Sequence, residues 1–336
     1  MTWSGIMRFF TRPVQSPTPV APIASVTGIL LAIGAAVVLS VNDLAIKALS
    51  GSYALHQVIL IRAVIGMALV LAVVRISGTG FRQLRTRHWR AHLFRVSIIM
   101  VSNVTYFLAL AVMPLADAVA VAFVSPLLVT LMSAVILGEK VGPQRWGAVA
   151  VGLLGVVIML RPGAGVIQPA AILVLISALC YAGSHMMTRA MRTTESAMTL
   201  SFFVQVGFVV VSTAMGLAFG DGRFAQDDGL FAFLLRPWVV PSVGDWWAFV
   251  ATGMAVGIGG MMMGQAYRTT EAALIAPFEY VGMPMAIFWG ALIFGTWPDA
   301  TGWVGIALIC GAGLYMLWRE TLRRREVDGA AAGGNP

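Results

Sequence analysis

The sequence predicts an all-α integral membrane protein of ten transmembrane helices, arranged as two five-helix repeats of inverted topology. Three observations predict this: the apolar composition, the placement of basic residues on alternate connections, and a segment that recurs at a fixed spacing. Of the 336 residues, 59% are hydrophobic and 11% charged, and the mean hydropathy is +0.87, whereas a soluble domain carries about 25% charged residues. A bilayer core about 30 Å thick takes roughly 20 apolar residues per helix, so ten spans use roughly 200 positions. The net charge of +8 is scattered between apolar runs and builds no recognition patch, which argues against a nucleic-acid partner. Cys180 and Cys310 both lie in apolar stretches and give neither a disulfide framework nor metal-ligand spacing.

Residues 1–25 read as a cytoplasmic tail, with Arg8, Arg12 and the prolines Pro13, Pro17, Pro19 and Pro22. The first apolar run outlasts the 7–15 residues of a signal-peptide core, so it reads as an uncleaved first helix. Spans are expected near 26–49, 56–75, 93–113, 115–137, 145–160, 168–189, 197–219, 246–267, 272–294 and 301–318. Pro143 and Pro162 bound the shortest of them, and residues 220–245, with Asp221, Asp227 and Asp228, read as one exposed loop. Residues 321–336 form a second tail. With both termini in the cytoplasm of a cell whose inner membrane the chain spans, 17 of the 22 Lys and Arg residues fall on inside connections. Only Arg161, Arg223 and Arg236 fall outside, and Lys47 and Arg62 lie within spans. An odd span count would scramble this bias.

Gly138 to Leu160 matches Gly295 to Leu317 at an offset of 157, pairing Trp146 with Trp303 and Met159 with Met316. A weaker match at an offset of 142 sets Asn42, Asp43 and Lys47 beside Ser184, His185 and Arg189. The repeats are therefore expected over 26–162 and 163–320. Five spans is an odd number, so the second copy enters the membrane from the opposite side. Inverted repeats are the architecture of alternating-access carriers, with the solute site where the halves meet.

Within Ala109 to Pro162, Leu110, Pro114, Ala116, Ala118, Ser125, Pro126, Gly138, Glu139, Arg161 and Pro162 fill the places of a recognisable pattern. By them the chain resembles the EamA domain of the drug/metabolite transporter superfamily. Ala276 to Tyr280 and Phe294-Gly295 are similar to the corresponding second-half run, with Thr296 where an acidic residue is commoner. The resemblance spans residues 26–320. It implies a secondary carrier for a small organic metabolite such as an amino acid, a vitamin or a nucleoside-like compound. Export, or uptake of riboflavin or S-adenosylmethionine, are both implied, and the Asn42-Asp43-xxx-Lys47 pattern is similar to that of uptake members.

An ionised side chain mid-membrane costs roughly 2.5–3.5 kcal/mol, so each one needs a partner or a watery cavity. Asp43 and Arg62 are each about 9 Å from the outer ends of their helices at 1.5 Å per residue. They are placed to pair, with Lys47 one turn from Asp43 as a competitor. Such a group is either an outer gate or a fixed structural bridge. Glu279, followed by Tyr280 and bracketed by Pro277 and Pro284, is a candidate coupling or cation site in a broken helix. Its bland alternative is a carboxylate held by Arg268 or tyrosine hydroxyls. His185 is either a proton carrier or an uncharged packing residue. Asn103, Tyr106, Tyr181 and Gln265 are positioned either to orient a polar solute or to bond neighbouring helices. Pro126 joins Pro277 and Pro284 as a hinge candidate. Gly253-xxx-Gly257 and Gly260-xxx-Gly264 read as close-packing motifs of the eighth span. The sequence holds no hydrolase, zinc-protease or Walker motif, so no enzymatic activity, cofactor or metal is expected, and transport draws on a gradient, with protons one candidate. The expected partners are a small-molecule substrate and the lipid bilayer, the chain acting as monomer or homodimer. A passive channel is the alternative of another class.

Overall fold

A computed structural model describes residues 22–77, 80–128, 131–132, 142–160, 169–191, 194–225, 229–269 and 278–332. Ten helices of eight or more residues occur among them: α1 (Pro22–Leu49), α2 (Leu55–Ile76), α3 (Trp89–Val112), α4 (Leu115–Ala122), α5 (Pro143–Leu160), α6 (Pro169–Met191), α7 (Ala197–Phe219), α8 (Trp246–Thr269), α9 (Gly282–Phe294) and α10 (Ala300–Ala332). The described residues contain no strand, as a lipid environment requires of backbone that must satisfy its own hydrogen bonds. α1, α2, α3, α6, α7 and α8 are long and apolar enough to cross a membrane. The other four apolar runs are shorter as described, and two of the expected spans, 115–137 and 272–294, continue into residues outside the described set.

Proline sets several boundaries. α5 and α6 begin on Pro143 and Pro169, at the position where the missing N–H costs nothing. α4 ends at Ala122, four residues before Pro126, because the ring removes the N–H that would bond that carbonyl and crowds it. The chain turns at Phe123 and Val124 and resumes helical form at Ser125. A matching interruption precedes α9: Phe278 and Glu279 are helical, Tyr280 and Val281 form a turn, and Pro284 lies in the first turn of the new helix. Pro126 and Pro284 thus start helical segments at breaks, while Pro277 lies outside the described residues.

The packing follows a regular scheme. α1 lies along α8 and α3 along α6; α2 packs on α7, α5 on α10, and α4 on α9. α2 also touches α8, as α3 touches α7. The α2–α8 contact depends on missing side chains. A Cβ on Gly253 would come within 2.6 Å of Ile65, and one on Gly257 within 2.6 Å of Leu69, so α8 approaches α2 closely through its first small-xxx-small pair. Gly260 has nothing within 4 Å of its would-be Cβ, so the second pair does not serve that contact.

The direction of the helices can be read from loop contacts. At one end of the bundle Tyr53, in the α1–α2 turn, meets Asp245, just before α8. At the other end of α2, Thr86 in the α2–α3 connection meets Glu195 in the α6–α7 turn. α1 and α6 therefore finish at opposite ends.

Candidate functional site

α1 presents small residues to the bundle: Ala32, Ala35 and Ala36 are buried and Ser40 nearly so. Asp43 continues that face at helical spacing. Its Oδ2 accepts a hydrogen bond from the Tyr106 hydroxyl at 2.9 Å, and its Oδ1 accepts from Asn42 Nδ2 at 3.0 Å. Asn42 then turns its oxygen the other way and accepts from Arg62 Nη1 at 3.3 Å and from the Thr252 hydroxyl. Arg62 Nη2 donates to Asn103 Oδ1 at 3.2 Å, and Asn103 Nδ2 donates to Ile99 O at 3.0 Å. One polar network therefore ties α1, α2, α3 and α8 together.

Arg62 is 1% exposed and its guanidinium lies 5.2 Å from the Phe107 ring and 5.0 Å from that of Phe208. Those rings stabilise a buried cation by their quadrupoles, which are stronger partners where water is excluded. The direct Asp43–Arg62 pair that their depth allows does not form; the Asn42 amide stands between them and serves both. Lys47 does not compete for Asp43 either. Its Nζ donates to Leu110 O at 2.8 Å and Met113 O at 2.6 Å, capping the last turn of α3, where a cation complements the helix dipole. Phe294 lies 5.5 Å beneath it. Lys47 thus serves as a cap on α3.

Tyr181 lies on the same stripe of α6 as the buried Val174 and Ala178, with His185 one turn on. It is nonetheless 42% exposed, and it is close enough to Asp43 and Glu279 for both to act on it electrostatically. Tyr181 meets the His185 ring edge-on at 4.3 Å. Tyr280, buried, stacks on Phe123 at 4.8 Å and 21°, which brings the breaks before α9 and after α4 face to face. A Cβ on Gly313 of α10 would overlap the Tyr280 hydroxyl, so that glycine leaves the space the phenol occupies. Glu279 is half-buried beside this stack.

Asp43 is thus joined to Tyr106, with Asn42, Arg62 and Asn103 on the same network; Tyr181 is joined to His185, and Tyr280, next to Glu279, to Phe123. Gln265 is exposed and stands about 20 Å along α8 from Thr252 at 1.5 Å per residue, beside Ala266, whose cluster includes Phe278. Sequence reasoning missed Asn42 and Thr252. Asn42 was flagged only by its place beside Asp43, and Thr252 by nothing, since a lone threonine in a Gly-rich span reads as packing. Among the described residues no three His, Cys, Asp or Glu side chains converge to hold a metal. The region offers carboxylates, phenols and stacked rings: hydrogen-bond acceptors and donors beside flat apolar faces.

Residues 26–161 match the model of the EamA-like transporter family. The likeness to that family is shown over those residues. Its relatives extend the likeness along most of the chain. It is 29% identical over 262 residues to a riboflavin transporter of Rhizobium johnstonii, covering 78% of this chain and 81% of that protein. It is 26% identical over 290 residues to a pseudopaline exporter of Pseudomonas aeruginosa, covering 84% and 93%. An S-adenosylmethionine uptake transporter of Rickettsia prowazekii is 21% identical over 281 residues, covering 84% and 89%. A solved crystal structure superposes with a TM-score of 0.63 at 22% identity over 86% of this chain and 96% of the other, which establishes the fold alone. The EamA-like match thus takes in α1 to α5, with Asp43, Arg62, Asn103 and Tyr106.

Proposed function

We propose that this chain is a secondary transporter that carries a flat, hydrogen-bonding heteroaromatic metabolite of the riboflavin kind across the inner membrane by alternating access. The observation that carries the reading is Asp43 of α1 held by the Tyr106 hydroxyl of α3, together with the stacked Phe123 and Tyr280 at the breaks beside α4 and α9. Such a surface can hold an aromatic ring system by its faces and its edge by hydrogen bonds. The named small-metabolite carriers among the relatives support the class.

The halves are 26–162 and 163–320, each of five spans, with both termini cytoplasmic. Support comes from spacing and packing. α1 and α2 precede α6 and α7 by 142 positions at the starts of α2 and α7, Leu55 and Ala197. α3 and α5 precede α8 and α10 by 157, at Trp89 and Trp246 and at Pro143 and Ala300. The longer connection ahead of α8 accounts for the difference. Exchanging the halves turns the α1–α8 contact into α6–α3 and leaves α2–α7, α4–α9 and α5–α10 unchanged. Phe123 and Tyr280, themselves 157 apart, stack across that exchange. The solute site then lies where inverted halves meet.

Uptake of labelled riboflavin into proteoliposomes tests the reading. Saturable uptake is expected, reduced at least tenfold in Asp43→Asn; flux that stays linear with concentration would mean a channel instead. The acids Asp43 and Glu279, both in reach of Tyr181, favour a second reading, a cationic solute such as S-adenosylmethionine. Competition between the two compounds separates these. An imposed pH gradient in the same vesicles tests proton coupling: uptake that ignores the gradient would remove it.

A further inference from the structure

We infer that the α1–α2 and α6–α7 turns carry two equivalent gates, Tyr53–Asp245 on one face and Glu195–His88 on the other, which must open alternately as the central space is exposed to each side. This deepens the transporter reading above and rests on it for which face is outside. Tyr53 and Glu195 lie 142 positions apart, the same spacing that separates the ends of α1 and α6, Leu49 and Met191, and the starts of α2 and α7. Each is the second residue before the following helix starts. Their partners are matched as well: His88 and Asp245 lie 157 apart and each directly precedes a tryptophan that begins α3 or α8, Trp89 or Trp246. So the same pair of positions meets twice, once at each end of the bundle.

At the first end the Tyr53 hydroxyl donates to Asp245 Oδ2 at 2.6 Å and accepts from Ser242 N at 2.9 Å. Gln57 of α2 exchanges two bonds with Val239, donating to its carbonyl at 2.6 Å and accepting from its N–H at 3.2 Å. Trp238 Nε1 donates to His56 Nδ1, and Arg236 Nη1 donates to Ser50 O at 2.6 Å. At the second end Glu195, whose side chain is 5% exposed, accepts from the Thr86 hydroxyl and lies 3.2 Å from His88 Nδ1 and 3.5 Å from His92 Nε2. Each set joins a connection of the first half to a connection of the second. When inverted halves rock about a central site, contacts that cross between them at one face have to separate for that face to open. The chemistry differs though the positions match. At the first gate His56, Gln57, Arg236 and Trp238 add their bonds across the halves; at the second Arg95 donates to Thr188 Oγ1 and to Leu200 O.

The test needs no solute. In full-length protein with Cys180→Ser and Cys310→Ser, a reporter cysteine at Tyr181→Cys is labelled by a membrane-impermeant maleimide added to one side of sealed vesicles of known orientation. Tyr53→Phe should raise labelling from the Asp245 side about tenfold, and Glu195→Ala should raise it from the His88 side by a similar factor. As a second arm, a bifunctional thiol cross-linker joining Tyr53→Cys to Asp245→Cys should abolish labelling from the first side only. The same linker joining His88→Cys to Glu195→Cys should abolish it from the second side only. Labelling from both sides that ignores the variants and the cross-links overturns the inference. Solute flux that persists with both cross-links in place, measured in protein that keeps Tyr181, overturns it too and leaves the transporter reading standing; side-selective labelling, where the matching protein with Tyr181 kept and no cross-link moves no solute, would do the reverse.

Discussion

Asn42 holds the position on which the most buried charge depends. Its amide satisfies Asp43 with one end and Arg62 and Thr252 with the other. Replacing it by alanine takes one partner from a carboxylate, a guanidinium and a hydroxyl, at about 1–3 kcal/mol for a buried group left short of a hydrogen bond. Asn42→Ala should therefore lower the unfolding temperature of the detergent-purified protein far more than Asp43→Asn, which keeps an acceptor for Tyr106. Lys47 gives the opposite contrast. Lys47→Met frees two carbonyls at the end of α3 and removes a favourable charge there, a loss on the order of 1–3 kcal/mol, yet it should leave solute affinity unchanged. Measuring unfolding temperature and solute Kd for the two variants separates the roles: a fall in affinity for Lys47→Met equal to that for Asp43→Asn would return Lys47 to the site. Asp43, Arg62, Asn103 and Tyr106 were legible as intramembrane polar residues. Which of them touch was not, because one intervening amide reroutes the bonds and the sequence carries no sign of its orientation.

Helix boundaries were legible where a side chain fixes them locally. Proline marks the starts of α5 and α6, and Pro126, expected as a hinge within one continuous span, instead ends α4 at Ala122, because both effects act within one turn. Contacts between helices were legible only as motif. Two identical glycine spacings occur in α8; both glycines of the first are pressed against α2, whereas Gly260 of the second has nothing within 4 Å, since close approach depends on where α2 crosses and not on the motif itself. Gly253→Ala must push its new methyl against Ile65 at 2.6 Å, while Gly260→Ala enters open space. The first should cost about 1–3 kcal/mol as an overpacked contact. The second should be neutral or slightly stabilising through helix propensity. Thermal unfolding of the two single variants checks this, and equal effects would show that the α2–α8 contact is looser than its geometry.

At the scale of the whole molecule, the charge bias along the sequence and the loop contacts in the structure argue the same topology from unrelated physics. One reports how basic residues resist translocation; the other reports which connections touch. The connections after α2 and after α7 are equivalent in the two proposed halves, and they should emerge on opposite sides of the membrane. Phe81 and Phe224 are half-exposed residues in those connections, 54% and 51%, so a cysteine at either is reachable without disturbing the bundle. In cells whose outer barrier is permeabilised, an impermeant thiol reagent should label Phe224→Cys at once and Phe81→Cys only after the inner membrane is opened. Labelling of both from one side would place the two connections on the same face. That would break the inversion, and with it the reason to look for the solute where the halves meet, whatever the local chemistry of Asp43 and Tyr181.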